Sequence, residues 1–354
     1  MHTIRKLNSI YINRFLTPLK IYIIIPLLFI SSCSSPYHEH FFRENPEFAT
    51  DSIRVADDIF ASTGRLDSLP NNYTQDALIQ AINTAKNRIW IEIYTWTDAA
   101  KLTDPIIQAQ KRWVDIRIVL EGNVFGTPRI NMPVAKKLKD AWISVVYADN
   151  DRYSFTHAKF WIIDDTYSIS TGNWTASFFS KNREYIYSST DKTTLRFLEE
   201  IFISDSTHMG YKKIHEIPTH IVISPLDARK KIENLLYQTQ NRLTIYVQTL
   251  DDEHIISIID WLIESGKYIE ICTADNDSNR ARQLQYPSWR WKLIRKPYLH
   301  AKVIIVDRSQ VFVGSHNLTT NAIENNREVG IILQNRPDLI SSIETDYRHD
   351  GCKM

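Results

Sequence analysis

The sequence is poor in glycine, with nine in 354 residues, and in cysteine, with three. So little glycine, with no low-complexity run, excludes a repetitive or largely disordered chain. No cysteines stand at zinc-site spacing. Cys272 lies in the apolar run YIEICTA and reads as a buried strand residue, while Cys352 falls in the tail. A disulfide between them is open, with nothing in the sequence to support it. The apolar run Ile21–Ile30 has ten residues, too few for a transmembrane helix, which needs about 20. An excess of positive charge is also missing. Residues 1–32 hold four Lys/Arg and no acid, so a chain without them has 38 basic against 41 acidic side chains. A mildly acidic protein has no broad positive field to draw in nucleic acid.

What is present is a duplicated stretch. His157, Lys159 and Asp164 follow the pattern H-x-K-x4-D, and His300, Lys302 and Asp307 repeat it 143 residues later. Each copy continues to an Asn with a hydroxyl two residues on, Asn173 with Thr175 and Asn317 with Thr319. Each closes on Asn-Arg-Glu, placing Glu184 and Glu328 eleven residues beyond the Asn. With 11 histidines in the chain, chance supplies about 0.03 copies of the short pattern. Two copies sharing their downstream residues mark an internal duplication.

The pattern resembles the phospholipase D superfamily, the HKD phosphodiesterases. The second copy has the fuller signature, with Gly314, Ser315 and Asn317. The first is one residue shorter between Asp164 and Asn173, with Thr171-Gly172 where Gly-Ser is expected. Its hydroxyl is therefore expected to sit differently. The resemblance spans about residues 70–335 and implies two tandem α/β/α sandwich modules sharing one active site at a pseudo-twofold interface.

The N-terminus reads as a processing segment. Arg5, Lys6, Arg14 and Lys20 precede the apolar run, and Ile30-Ser31-Ser32-Cys33 resembles a bacterial lipobox. The expected division is a lipoprotein signal peptide at 1–32, a tether at 33–50, a first module at 51–212 and a second at 213–350. Cys33 would carry lipid and hold the protein outside the cytoplasm on a bacterial membrane; an uncleaved anchor is the alternative.

Periodicity agrees with an α/β class. Helical spacing over 75–85 precedes the alternating strand 88–94; a helix over 104–113 precedes strand 114–120; a helix over 134–141 precedes strand 142–147. A strand ending at Ile163 carries the first motif. The second half repeats this order with helix 228–239, strand 242–248, helix 255–265 and strands 268–273, 291–294 and 299–306. A helix over 194–203 lies in the connection. Strands alternating with helices predict a mixed sheet in each half.

The chemistry suits transfer at a phosphodiester. Residues two apart on a strand share a face, so each motif presents a His and a Lys together. One imidazole would attack phosphorus and the other would protonate the leaving oxygen. Lys159, Lys302, Asn173 and Asn317 would hold the phosphate oxygens, with Ser315 and Thr171 adding hydrogen bonds. The resemblance implies that His157 is the nucleophile and His300 the acid. It also implies that Glu184 orients His157 and Glu328 orients His300, with Asp164 and Asp307 as buttresses. The bland alternatives are turn asparagines, and glutamates paired with Arg183 and Arg327. Trp174, Phe178 and Phe179 are core residues on one reading and a channel lining on another. Arg280, Arg282, Arg290, Lys292, Arg295 and Lys296 form either a solvated face or an anion-attracting groove.

The resemblance implies a membrane-anchored phosphodiesterase that hydrolyses glycerophospholipid head groups, without a cofactor or metal. Its partners are a phospholipid membrane and a phospholipid substrate, and a monomer suffices. Phosphatidyl transfer of the cardiolipin synthase type and nuclease action on nucleic acid are the alternatives.

Overall fold

The computed structural model describes residues 64–209 and 217–352. Cys33, the signal peptide and the tether lie outside these residues. Strands and helices follow one another as β1 Arg65–Leu69, α1 Thr74–Thr84, β2 Arg88–Ile93, α2 Thr103–Gln110, β3 Asp115–Leu120, α3 Met132–Asp140, β4 Ser144–Tyr147, β5 Lys159–Ile163, β6 Thr166–Ser170, α4 Ala176–Ser180, β7 Asn182–Ser189 and α5 Lys192–Thr207. The second half runs β8 Ile221–Ser224, α6 Ala228–Tyr237, β9 Arg242–Val247, α7 Glu253–Glu264, β10 Tyr268–Ala274, α8 Asp277–Gln283, β11 Trp291–Ile294, β12 Tyr298–Leu299, β13 Lys302–Val306, β14 Gln310–Gly314, α9 Thr320–Glu324, β15 Glu328–Gln334 and α10 Pro337–His349.

The two sheets have one plan. The first is ordered β1-β7-β6-β5-β2-β3-β4 and the second β8-β15-β14-β13-β9-β10-β11. In each, three parallel strands carry the helices and the motif strand joins them antiparallel. The expected mixed sheets are therefore present in both halves. The motif strands are buried on both faces, which explains their unbroken apolar runs. Phe160 and Ile162 of β5 enter a core shared with Val303 and Ile305 of β13. Trp161 and Ile163 point the other way, into the layer under α1–α3. Ile304 and Val306 do the same under α6 and α7. Trp174, Phe178 and Phe179 are core residues, 0%, 0% and 4% exposed, and line no channel. Among the described residues no helix is long and apolar enough to cross a membrane.

The run over 299–306, expected as one strand, is broken. Tyr298–Leu299 pairs with Asn182–Arg183 of the first half's β7, whereas Lys302–Val306 stays in the second sheet. The mirror contact is a parallel bridge between Thr156 and Arg327. Each half thus lends the residues before its motif histidine to the other half. Cys272 of β10 and Cys352 form a disulfide, one that the sequence left open.

Asp164 and Asp307 stand at the far ends of β5 and β13 from the histidines, at positive φ in hairpin turns. The Asp164 carboxylate accepts N–H bonds from Lys86, Asn87 and Arg88 at 3.0, 2.7 and 3.1 Å. Asp307 does the same for Gln240, Asn241 and Arg242 at 2.7, 2.8 and 2.7 Å. These aspartates are buttresses of the helix-to-strand turn and not part of the reacting centre. Asp307→Ala should lower stability by about 1–2 kcal/mol, as loss of a multi-bond cap does. Activity at a temperature where the variant is folded should stay within about twofold; thermal melts and kcat measured on the same sample separate the two.

Candidate active site

His157 and His300 sit just ahead of β5 and β13, at the carboxyl ends of β2 and β9. Their main-chain N–H groups donate across the interface, His157 to the Arg327 carbonyl at 2.8 Å and His300 to the Arg183 carbonyl at 3.2 Å. The rings are held across the interface too. His157 Nδ1 lies 2.8 and 2.9 Å from the two Glu328 oxygens, and His300 Nδ1 lies 2.8 Å from Glu184 Oε1. This corrects the expected pairing, in which each glutamate serves the histidine of its own motif. The reason is topological. Glu184 is the third residue of β7, and the first two, Asn182 and Arg183, pair with the segment that leads to His300. Each glutamate therefore meets the other half's ring. Nor are the glutamates partners of their neighbouring arginines.

With Nδ1 engaged, each ring keeps Nε2 for chemistry. Burial drives the His157 pKa down to about 4 despite the Glu328 charge. Burial lowers that of His300 as well, against the charge of Glu184. In both rings burial favours the neutral imidazole, the form that acts as a nucleophile. Burial also opposes ionisation of Glu328, yet His157 and Lys159 outweigh it and bring the carboxyl to about 2.

Lys159 and Lys302 are both fully buried. Lys159 Nζ donates to the His157 carbonyl. Lys302 Nζ donates to the His300 carbonyl, to Gln248 Oε1 at 3.1 Å and across the interface to the Thr171 carbonyl at 3.2 Å. Stripped of water, Lys302 has its pKa lowered to about 8, and Lys159 falls well below the usual range for the same reason. An anion entering between them would favour the protonated forms. Asn173 and Asn317 are half-buried, with Oδ1 atoms that have no hydrogen-bond partner. An amide oxygen only accepts, so a phosphate oxygen would be met by the Nδ2 groups of these residues.

The hydroxyls stand differently from expectation. The one-residue deficit of the first motif falls in its hairpin turn, where Asp164-Asp165 replaces Asp307-Arg308-Ser309. Thr171 consequently occupies the position of Ser315. Tyr185 N donates to Thr171 Oγ1 at 2.9 Å and Val329 N to Ser315 Oγ at 3.1 Å. Both hydroxyls are buried and already engaged, so neither is a phosphate donor. Thr171 donates to Glu184 at 2.6 Å, while Ser315 donates to the Val329 carbonyl. Thr175 and Thr319 cap α4 and α9. Thr171→Val should lower kcat/KM about tenfold, the usual cost of losing a group that orients a reacting side chain, with little change in KM. Steady-state kinetics on folded variant protein read this out.

Aromatic residues at one side of the site escaped the sequence reading. Tyr94 packs edge-on to His157 with ring centroids 4.6 Å apart. Phe155 lies 6.1 Å from Tyr94, and Phe125, 81% exposed, lies 6.3 Å from Phe155. Phe155 holds the place that Tyr298 holds in the second half, two residues before the histidine; aligning the two copies there is the signal that would have found it. The second half is more polar: Gln248 donates to the Tyr298 hydroxyl at 3.0 Å. Three of the six basic side chains in the run are held in ion pairs. Arg280 and Arg295 both bind Asp275, and Arg282 binds Asp251 and Glu253. Arg290 lies over the Trp289 ring.

Two His-Lys pairs and two amides, drawn from duplicated halves onto one centre, define the two-motif HKD class of phosphodiester-acting enzymes. The chain belongs to the family described as "Cardiolipin synthase, PLD-like domain", which it matches over residues 78–206 and 232–350. Phospholipase D Z of Dictyostelium discoideum is 32% identical over 69 residues, covering 20% of this chain and 15% of that protein. Phosphatidylserine synthase of Haemophilus influenzae Rd KW20 shares the fold, with a TM-score of 0.64 and 15% identity over 80% of this chain and 85% of that one. Polyphosphate kinase from Porphyromonas gingivalis does so with a TM-score of 0.61 and 14% identity, over 80% of this chain and 49% of that one.

Proposed function

We propose that the protein is a phospholipase D-type phosphodiesterase that removes head groups from glycerophospholipids. The observation that carries this reading is the apolar rim of Tyr94, Phe155 and Phe125 beside His157, next to a polar rim on the second half. An amphiphilic diester fits such a mouth, with its lipid part against the aromatics and its head group toward Gln248 and Tyr298. The ion pairs of Arg280, Arg282 and Arg295 favour lipid over nucleic acid, because they reduce the positive charge left to meet a phosphate backbone.

In this reading His157 Nε2 attacks phosphorus, forming an N–P bond as the bond to the head-group oxygen breaks. His300, protonated once the anionic diester is bound, passes its proton to that oxygen. It then takes a proton from water, which attacks phosphorus and releases His157 with phosphatidic acid as product. Lys159, Lys302 and the amides of Asn173 and Asn317 bear the charge that grows on the non-bridging oxygens. In phosphatidyl transfer an alcohol replaces the water, and no residue changes role. Lipidation of Cys33 on the outer side of a membrane remains part of the proposal. The Cys272–Cys352 disulfide supports an oxidising compartment. A lipid tether would raise the effective concentration of substrate in the same surface.

The test offers the protein mixed phospholipids in one tube and single-stranded and duplex nucleic acid in another, with products read by mass spectrometry. Phosphatidic acid or an exchanged phosphatidyl product is expected; cut nucleic acid with intact lipid would overturn the reading. The pH profile adds a check. Lys302 must be charged to bind the diester, so kcat/KM should fall above about pH 8. The decline should approach tenfold per pH unit, and Lys302→Gln should abolish that limb.

A further inference from the structure

The Asn-Arg-Glu of each half also delivers an arginine to the opposite half. Arg327 Nε and Nη2 bind Asp205 at 2.7 and 3.0 Å, and Nη1 donates to the Ser224 carbonyl. Arg183 Nε and Nη2 bind Asp350 at 2.7 and 2.8 Å, and Nη1 donates to the Leu69 carbonyl. The two clamps are equivalent under the duplication, but their aspartates are supported differently. Asp205 lies inside α5, where the helix backbone fixes it. Asp350 lies one residue past α10, beyond its regular turns. Two residues later Cys352 is bonded to Cys272, in the second sheet. In the first half, Val119 and Thr207 hold the positions of these cysteines. The disulfide is thus found only where the helix does not itself carry the aspartate.

We infer that Asp350, fixed by the Cys272–Cys352 disulfide, is a positioning residue for His300 and not for His157. The path is short. Asp350 fixes the Arg183 guanidinium, the Arg183 carbonyl accepts the His300 N–H, and Glu184, the next residue, holds the His300 ring. The Asp350 side chain is fully buried and also accepts from the Tyr246 hydroxyl. Asp346 also makes an ion pair with Arg183, at Nη1 and 3.4 Å, but Asp350 binds both Nε and Nη2 at the shorter 2.7 and 2.8 Å. His157 depends instead on Arg327 and Asp205.

The inference rests on the two histidines being the reacting groups, but its test does not require turnover. The double variant Cys272→Ala/Cys352→Ala and the separate variant Asp350→Asn are compared with the parent by NMR of the imidazole N–H signals. The signal of His300 Nδ1–H, bonded to Glu184, should move toward that of a free imidazole, with that of His157 unchanged. Asp205→Asn should do the reverse. In an active preparation kcat/KM should fall about tenfold in both Asp350-side variants. Folded variants in which His300 does not move, or in which both histidines move together, would overturn the inference. A shifted His300 in a protein inactive on every diester would sink the proposed chemistry and leave this inference standing. Asp350→Asn keeps side-chain volume, so it serves if the cysteine variant does not fold.

Discussion

His157→Ala and His300→Ala should each lower kcat by at least about 10⁴-fold, and the double variant should be little worse than either single one. The reason is that the rings act as a unit. One forms the covalent bond and the other handles the proton of the same step, so losing either leaves no path through the intermediate. The structure adds a distinction between them. Nδ1 of His157 is held by both oxygens of Glu328, whereas His300 shares its Nδ1 surroundings with Lys302 Nζ at 3.2 Å. If His157 is the nucleophile, His300→Ala should retain first-turnover release of a good leaving group, such as nitrophenol, far better than of a natural head group, while attack of water on the intermediate stays slow. His157→Ala should lose both. Rates on the two substrates with the two variants give the comparison directly.

Arg327→Ala should destabilise the protein by about 4 kcal/mol, the size expected when one partner of a buried ion pair is removed. Arg327 is 0% exposed and spans the interface to Asp205 and the Tyr153 hydroxyl. Its removal leaves the Asp205 carboxylate buried without its counterion. It also leaves Glu92, whose pKa burial and the nearby Asp205 charge already push well up. The duplication explains this carboxyl. Glu92 of β2 occupies the position of Tyr246 of β9, whose hydroxyl donates to Asp350. Glu92, buried beside Asp205, is the first half's counterpart of that tyrosine. Arg327→Met should cost less than Arg327→Ala, because it keeps the volume, and Arg327→Met/Asp205→Leu should recover much of the loss. Denaturant melts of the parent, Arg327→Met, Asp205→Leu and Arg327→Met/Asp205→Leu measure the coupling.

The duplicated fold and the centre of the site were legible in the sequence, and for one reason: the chemistry repeats. Two copies of His, Lys and Asn at matched spacing could be set side by side, and strand and helix periods recurred in the same order. What spacing could not give was the handing-over of residues between halves. Glu184 follows His157 in the same motif copy, and the resemblance, carried over copy by copy, implied the wrong partner. Only the pairing of Tyr298–Leu299 with β7 reverses it. Thr171 was misplaced because a one-residue deletion was assigned to the Asn side of β6, when a hairpin turn absorbed it. The rim residues Tyr94 and Phe125 precede or follow strands in loops of ordinary composition. They become a site only when the carboxyl ends of β2 and β3 meet the segment before His157.

The most direct test of the account is to find where the covalent bond forms. The protein would be mixed with phospholipid, quenched within milliseconds to seconds, digested under mildly alkaline conditions that preserve phosphohistidine, and analysed by peptide mass spectrometry. A phosphatidyl adduct is expected on the peptide containing His157 and none in His157→Ala; in His300→Ala the adduct should accumulate only from a diester with a good leaving group, such as a nitrophenyl ester. An adduct on His300 would reverse the assigned roles, and turnover with no histidine adduct at any time point would contradict the mechanism itself.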